Sequence, residues 1–332
     1  PSVLIVLVSL AAEGCPQLAL SLAAHWQRQG SVVSLLCLES GPTDMKAEFD
    51  SLGIPIHTCS LGSGWLRYLR LVWASYRLCA RIRPHAVLSF PLGWHSFLAI
   101  GARLARVRYV CAHVGNLPPT WAGIAFIKFK VMVQLGRPFT NRLLCCSEYI
   151  RQATQRDFCL TRRETSTVYN ACDLSRFSQS NFQLVPHHPP RLGMVARLEL
   201  HKDQPTLLRA MALLRDQQVD AELWLIGEGS LRPQLEGLIA DLGVADRVHL
   251  LGSRRDIPYL LSQLDLFVFS ALPDEGFGIA LAEAMAAGLP IVATKVGACL
   301  EVLDGGRCGL LVEPGSAEAL AKGICQVLAD PA

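Results

Sequence analysis

Two carboxylates eight residues apart, Glu275 and Glu283, frame the run Pro273-Asp-Glu-Gly-Phe-Gly-Ile-Ala-Leu-Ala-Glu-Ala-Met-Ala-Ala-Gly-Leu-Pro290. From Ile279 to Ala287 every residue except Glu283 is apolar, which is the pattern of a short helix buried on every side. At helical spacing Glu283 shares a face with Ile279, Ala282 and Ala286, so a carboxylate lies on a small-residue surface that packing would cover. Such a group costs about several kcal/mol unless it is hydrogen-bonded or paired, and the donor must come from the protein or from a ligand. Just ahead of the helix, Gly276 and Gly278 flank Phe277 and let the backbone come close to a ligand. The helix start adds unpaired N–H groups and the positive end of a dipole. Gly288 and Pro290 close the helix in the usual order. The segment reads as an anion cradle with a carboxylate at each end.

A second constellation lies upstream, in Gly193-Met-Val-Ala-Arg197-Leu-Glu-Leu-His-Lys202-Asp-Gln204. Arg197 falls at the end of an apolar strand and Lys202 near the start of the helix that follows. Alone, an Arg and a Lys five apart describe a solvated turn. Next to an anion cradle they are the cations that a departing phosphate group needs. The alternative means, a divalent metal on an Asp-x-Asp pair, has no such pair in this chain, so no metal is expected.

The elements that must position these residues alternate. In the first half, strands are expected at Val3–Val8, Val32–Leu38, Ile54–Thr58, Ala86–Phe90 and Tyr109–Ala112. Helices are expected at 17–29, 45–52, 65–83 and 96–103. Pro186-His-His-Pro-Pro190 then reads as a stiff connector, and the alternation begins again at Arg191. In the second half strands are expected at 191–195, 222–226, 248–250, 266–269 and 291–293, and helices at 204–215, 231–242, 259–263 and across Glu283. The fold class is therefore α/β: two Rossmann-like domains, 1–185 and 186–332, facing a cleft into which the carboxyl ends of both parallel sheets open. No repeat of solenoid length is evident.

Composition sets the outer limits. The chain has 332 residues, 51% of them hydrophobic, enough to build two cores, and no apolar run reaches the ~20 residues of a membrane span. Its opening apolar run lacks preceding basic residues and reads as a strand rather than a secretory leader, and the absence of Met at position 1 suggests a trimmed chain. Twelve cysteines show no metal-ligand spacing, which points to reduced, mostly buried thiols in the cytoplasm. Residues 1–185 hold 19 Lys and Arg against 9 Asp and Glu, a net +10; residues 186–332 hold 12 against 19, a net −7. The basic half is the one expected to meet an anionic surface or acceptor.

Glu275-x7-Glu283, with Gly276, Phe277 and Gly278 between, resembles the signature of retaining, nucleotide-sugar-dependent glycosyltransferases of the GT-B fold, and within them the family-4 group. Val296-Gly-Ala-Cys-Leu-Glu301 and Gly309-Leu-Leu-Val-Glu-Pro314 resemble that family's next two blocks, and the likeness covers almost the whole chain, most strongly from Arg191 to Pro314. The resemblance implies that Arg197 and Lys202 bind the diphosphate, that Glu283 accepts the ribose hydroxyls and that Glu275 contacts the transferred sugar. It places Ser253 and Arg254 by the nucleobase and His113, after a strand, close to the donor sugar; a hydrogen-bonded structural role for His113 stays open. Gly227 and Gly229 line the nucleotide pocket in the family, although a tight strand-to-helix turn explains them equally well. Gly14 matches a family glycine at the first helix, but Cys15 replaces the second one. Val168-Tyr-Asn170-Ala-Cys-Asp173 resembles a block that packs near the hinge, with Ala171 in a glycine's place. The family usually continues past Ala332 with a helix that crosses back to the first domain, so either looser domain closure or a shortened chain is expected here.

The expected function is transfer of a hexose-type sugar, with retention, from a UDP- or GDP-linked donor to a glycan or lipid-linked acceptor in cell-envelope polysaccharide synthesis. Two segments, 65–83 and 121–142, mix Trp, Tyr, Phe and Ile with Arg and Lys. They read either as interfacial helices for an anionic membrane or as ordinary Rossmann helices with solvated arginines. That would make the protein cytoplasmic and peripheral at the inner membrane face. No nucleic-acid module is present. A silent glycosyltransferase-like scaffold would have no need to keep Arg197, Lys202, Glu275 and Glu283 together; an epimerase or phosphorylase on the same fold remains an alternative. A nicotinamide-dependent oxidoreductase is disfavoured, since neither half carries Gly-x-Gly-x-x-Gly after its first strand.

Overall fold

The computed structural model describes residues 1–11, 14–38, 41, 43–117, 123–171, 173, 175–178 and 187–330. The chain divides into two compact units, Pro1–Asn170 and Ala171–Ala332. The first is built on seven strands: β1 (Ser2–Leu7), β2 (Val32–Cys37), β3 (Ile56–Thr58), β4 (Ala86–Ser89), β5 (Tyr109–Val114), β6 (Arg142–Cys145) and β7 (Thr165–Thr167). They lie in the order β3-β2-β1-β4-β5-β6-β7, with parallel pairing throughout. The second has six: β8 (Arg191–Val195), β9 (Glu222–Ile226), β10 (Val248–Gly252), β11 (Leu266–Phe269), β12 (Ile291–Thr294) and β13 (Leu310–Val312). Their order, β10-β9-β8-β11-β12-β13, is the same winding. In both sheets the order reverses beside the first strand, between β1 and β4 and between β8 and β11. Such switch points are where open α/β sheets bind ligands, outside the carboxyl ends of the strands.

The near-continuous apolar runs of the central strands follow from burial on both faces. In the first unit Leu4 and Val6 of β1 point into one core with Leu71, Leu78 and Leu98, while Ile5 and Leu7 point into the other with Ala19, Ala23 and Phe49. In the second unit one large cluster takes in Leu192, Met194, Leu225, Phe267, Phe269 and Val292.

The division into compact units falls at Asn170/Ala171, and His187 of the proline-rich connector and Arg191 after it are tied into the second unit. Asp265 accepts from the backbone N–H of His187 at 3.0 Å and of Arg191 at 2.7 Å. Other expectations are corrected. The segment expected to run as one amphipathic helix to Arg142 stops at Gly136. Pro138 forces a 3-10 turn at Arg137–Phe139, and Arg142 opens β6. Trp121 of that segment lies outside the described residues. Strands β6, β7 and β13 went unpredicted: none exceeds four residues, and β7 is a polar edge strand. The helix carrying Glu283, Ile279–Ala286, is buried at Leu281 and Ala284 but not all round, and Met285 is exposed.

Candidate donor-binding site

Strand β8 ends beside β11, so the loops that follow the two strands meet. Lys202 closes a 3-10 turn, Leu200–Lys202, after β8; Glu275 lies in the loop after β11. The Lys202 ammonium is paired with Glu275 Oε2, and both side chains are largely buried. Glu275 Oε1 accepts from the N–H groups of Gly276 and Phe277 at 3.2 and 3.4 Å. Burial works to raise the Glu275 pKa. The Lys202 charge and hydrogen bond, helped by His201 and the Phe277 N–H, outweigh it and hold the carboxyl below its ordinary range. Glu275 is therefore ionised. Lys202 also lies 5.2 Å from the centre of the Phe269 ring, so one face of the cation is desolvated.

The two loops are stitched by backbone and small polar groups. Leu272 N–H donates to the His201 carbonyl at 2.9 Å, and Ser270 Oγ to the Lys202 carbonyl at 3.1 Å. Thr294 at the end of β12 accepts from Ala271 N–H and donates to the Ala271 carbonyl, both at 2.8 Å. Buried Gln204 donates to the Arg197 carbonyl at 2.8 Å, leaving the Arg197 side chain on the exposed side of its loop. His201, Ser270, Thr294 and Gln204 all escaped the sequence reading.

Gly278 caps the Ile279–Ala286 helix at φ 77°, a left-handed conformation that favours glycine. One turn in, the half-buried Glu283 carboxylate makes no hydrogen bond and no ion pair among the described residues. Burial raises its pKa, with only the charge of Arg176 opposing. The paired carboxylate and the unpaired one thus have opposite electrostatics, although the sequence motif treats them alike.

The glycines of the next loop are explained by the Arg197 loop itself. A Cβ on Gly227, at φ 148°, would lie 2.0 Å from the Ala196 carbonyl oxygen, and one on Gly229 would lie 2.4 Å from that of Leu198. Leu198 donates to the Glu228 carbonyl at 2.9 Å and accepts from Leu231 N–H at 3.0 Å; Ser230 donates to Glu199 through N–H and Oγ. The two glycines therefore let this loop lie against the one that carries Arg197. Ser253 and Arg254 follow β10 and are exposed; Arg254 is held in a two-pronged pair with Asp256 at 2.9 and 2.6 Å.

Two expected site residues belong to the first unit. Gly14 opens the Gly14–Arg28 helix after β1 with open space where a Cβ would stand; Ala12 and Glu13 lie outside the described residues. His113, near the end of β5, is 7% exposed and stacks at 4.9 Å on Phe90. Its Nε2 lies 3.2 Å from Asn170 Oδ1. An amide oxygen only accepts, so Nε2 carries the hydrogen and donates it. Nδ1 is left as a buried acceptor with no partner among the described residues. Burial lowers the His113 pKa, with the Asn170 bond opposing, so the ring is neutral. Asn170, the last residue of the first unit, fixes this ring.

Two doubly wound sheets of matching order, with a cation–carboxylate cluster at the switch point of the second, define the GT-B architecture. The profile described as "Glycosyl transferases group 1" matches residues 175–332, and that described as "Glycosyltransferase Family 4" matches residues 13–176. Together they cover nearly the whole chain, which belongs to the family-4 glycosyltransferases. Among solved structures, Anabaena HepE in complex with UDP-glucose superposes with a TM-score of 0.81 at 25% identity, covering 99% of this chain and 90% of that one. Among curated relatives, the Campylobacter jejuni N-acetylgalactosamine-N,N'-diacetylbacillosaminyl-diphospho-undecaprenol 4-alpha-N-acetylgalactosaminyltransferase is 28% identical over 203 residues, 60% of this chain and 54% of that protein. The lipopolysaccharide core biosynthesis glycosyltransferase LpsE of Rhizobium meliloti is 34% identical over 145 residues, 44% of this chain and 41% of its own. The match thus spans about half the length of these curated relatives.

Proposed function

We propose that this protein transfers a hexose-type sugar, with retention and without a metal, from a nucleoside-diphosphate sugar to a glycan or lipid-linked acceptor. The observation that carries the reading is the joining of Lys202, Glu275 and the Gly278 helix start at one switch point, with an unpartnered carboxylate, Glu283, on the same helix. Lys202 and Arg197 stabilise the charge that grows on the departing diphosphate, and the helix start adds N–H donors. Glu283 accepts the ribose hydroxyls, which supply the donors its burial calls for. Ser253 and Arg254 stand by the base. Glu275 takes a sugar hydroxyl, and His113 offers its Nδ1 lone pair to another. Glu275 is paired with Lys202 and Glu283 is assigned to the ribose, so this reading uses neither as a nucleophile. The acceptor hydroxyl attacks from the face the diphosphate leaves, and the leaving phosphate takes its proton. The first unit, residues 1–170, carries the acceptor and the second the donor. A UDP-linked donor is favoured by the HepE complex and a lipid-linked acceptor by the Campylobacter relative. On this reading the work is done at the cytoplasmic face of an anionic membrane, as a step in making an envelope polysaccharide.

Glu283→Gln separates binding from folding. Its raised pKa means that the ionised form opposes folding, a penalty that grows as pH rises from the ordinary carboxylate range through the folded value and is complete above it. At neutral pH the variant should melt higher than the parent while binding UDP about tenfold or more weakly, the size of a lost hydrogen bond to a charged group. Calorimetric titration with UDP and a melting curve read the two effects. Unchanged UDP affinity would remove Glu283 from the site.

A further inference from the structure

Charge at the candidate donor site is balanced before any ligand arrives. The loop after β8 brings Arg197 and Lys202, and the loop after β11 brings Asp274 and Glu275. Two cations thus stand against two carboxylates, in a half of the chain that is itself net −7. A nucleoside-diphosphate sugar adds a negative charge on each of its phosphates, and holding that charge calls for more positive charge than the four groups supply. One further residue of the cluster can change its charge in response. His201 sits in the Leu200–Lys202 turn, directly before Lys202. Its carbonyl accepts from Leu272 N–H at 2.9 Å, which fixes its backbone where the two loops join. Leu200 beside it is 71% exposed, whereas His201 is half-buried. The imidazole makes no hydrogen bond and no ion pair among the described residues. The charged groups within its reach are those same four, two from its own loop and two from the loop opposite.

We propose that His201 is a further diphosphate-binding residue, which takes up a proton from solvent as the donor binds and so gives the site a third cation. The inference rests on the transferase reading above and specifies how pH regulates its donor site. Without ligand the imidazole is neutral near pH 7. Burial is the main influence lowering its pKa and Lys202 and Arg197 add to it, while Glu275 and Asp274 oppose them without prevailing. Phosphate oxygens alongside reverse the balance, because an anion favours the protonated ring, which then donates to the phosphate in a charge-assisted hydrogen bond. Lys202 cannot supply this increment, since it is already charged and paired with Glu275. The gain is conditional: the empty site avoids a third positive charge beside two others, and the charge appears only with the anion. Binding therefore strengthens as pH falls from the bound-state pKa of His201 towards its free one, by at most about tenfold per pH unit, and levels off on either side.

The test is calorimetric titration of the full chain with UDP-glucose, in buffers of different ionisation enthalpy at several pH values between about 6 and 8. UDP-glucose is the probe because the terminal phosphate of UDP itself titrates at about pH 6. Per donor bound, the parent should take up more protons than His201→Gln, by a difference of up to about one. Any proton exchanged at Glu283 or His113 is common to both proteins and drops out of that difference. The variant should bind up to about tenfold more weakly at the acid end, with the gap narrowing as the pH rises. His201→Asn repeats the test with a shorter amide, and an unchanged melting curve shows that each variant is folded. A merely structural His201 would weaken binding alike at every pH. Equal proton exchange by the parent and both variants, or parallel pH profiles of affinity, would overturn the inference and leave the donor site standing. No binding of UDP-glucose by the folded parent would instead overturn the donor assignment, and this inference with it.

Discussion

At the scale of single residues, the two carboxylates of one motif are asked to do different things. Glu275 is ionised because Lys202 is beside it; take the ammonium away and burial, the largest influence on that carboxyl, acts with little opposition. The ion pair thus holds the lysine in place with its charge undiminished, as the proposed diphosphate role requires. Removing one member of a buried pair costs more than the pair contributes, because the other is left uncompensated. Lys202→Ala should therefore lower stability by about 3–5 kcal/mol at neutral pH, and it should change the shape of the pH dependence. In the parent, the depressed Glu275 pKa gives a stabilisation that is whole above the ordinary carboxylate range and is lost as pH falls through the folded value. In Lys202→Ala the folded pKa rises above the unfolded one, so this group's contribution reverses and stability falls as pH climbs through it. Melting curves from acid to neutral pH test this. An unaltered slope in the variant would mean that Glu275 is solvated and not held by the pair.

Elements decide where these residues stand, and here one loop positions another. The turn after β9 presents two glycines to the backbone of the loop after β8, and so holds the main chain on either side of Arg197. The close approaches at Gly227 and Gly229 are to carbonyl oxygens of the main chain, which cannot swing aside as a side chain can. In Gly229→Ala the Arg197 loop must move, and the ligand-free protein should lose about 1–3 kcal/mol, as overpacking does. UDP affinity should drop as well, although no nucleotide contact has been removed. If the glycines merely made room for a nucleotide, the ligand-free melting point would stay where it is. Differential scanning calorimetry of parent and variant, each with and without UDP, separates the two. The sequence showed the Gly-x-Gly and its strand-to-helix place but not its partner, since that partner lies 31 residues earlier in the chain (Leu198 against Gly229) and is brought alongside by parallel pairing of β8 with β9.

For the molecule as a whole, what was legible in the sequence is what depends on local pattern: buried strands as apolar runs, helices by their period, and the Glu275–Gly278 helix start. The order of strands is not local, nor are the contacts it creates. Lys202 and Glu275 meet across 73 residues and His113 and Asn170 across 57, and nothing in either segment names the other. The short strands β6, β7 and β13 were missed because they offer too few residues for a period to register. Charge was legible, and it constrains how a donor must bind. The second unit is net −7, so it repels a nucleoside diphosphate at long range. On the proposed reading, affinity comes from the few cations and N–H groups at the switch point, at distances too short for salt to screen well. Binding should accordingly need no metal and tolerate salt. In a panel of UDP, GDP and ADP sugars with a chelator present, a UDP-hexose should raise the melting point, by the equivalent of about 2.7 kcal/mol at a hundredfold excess over its Kd. The shift should persist into high salt. A shift that appeared only after divalent metal was added would reject the cation-and-helix account of the diphosphate site. No shift with any sugar nucleotide, from a folded sample, would reject the donor site itself.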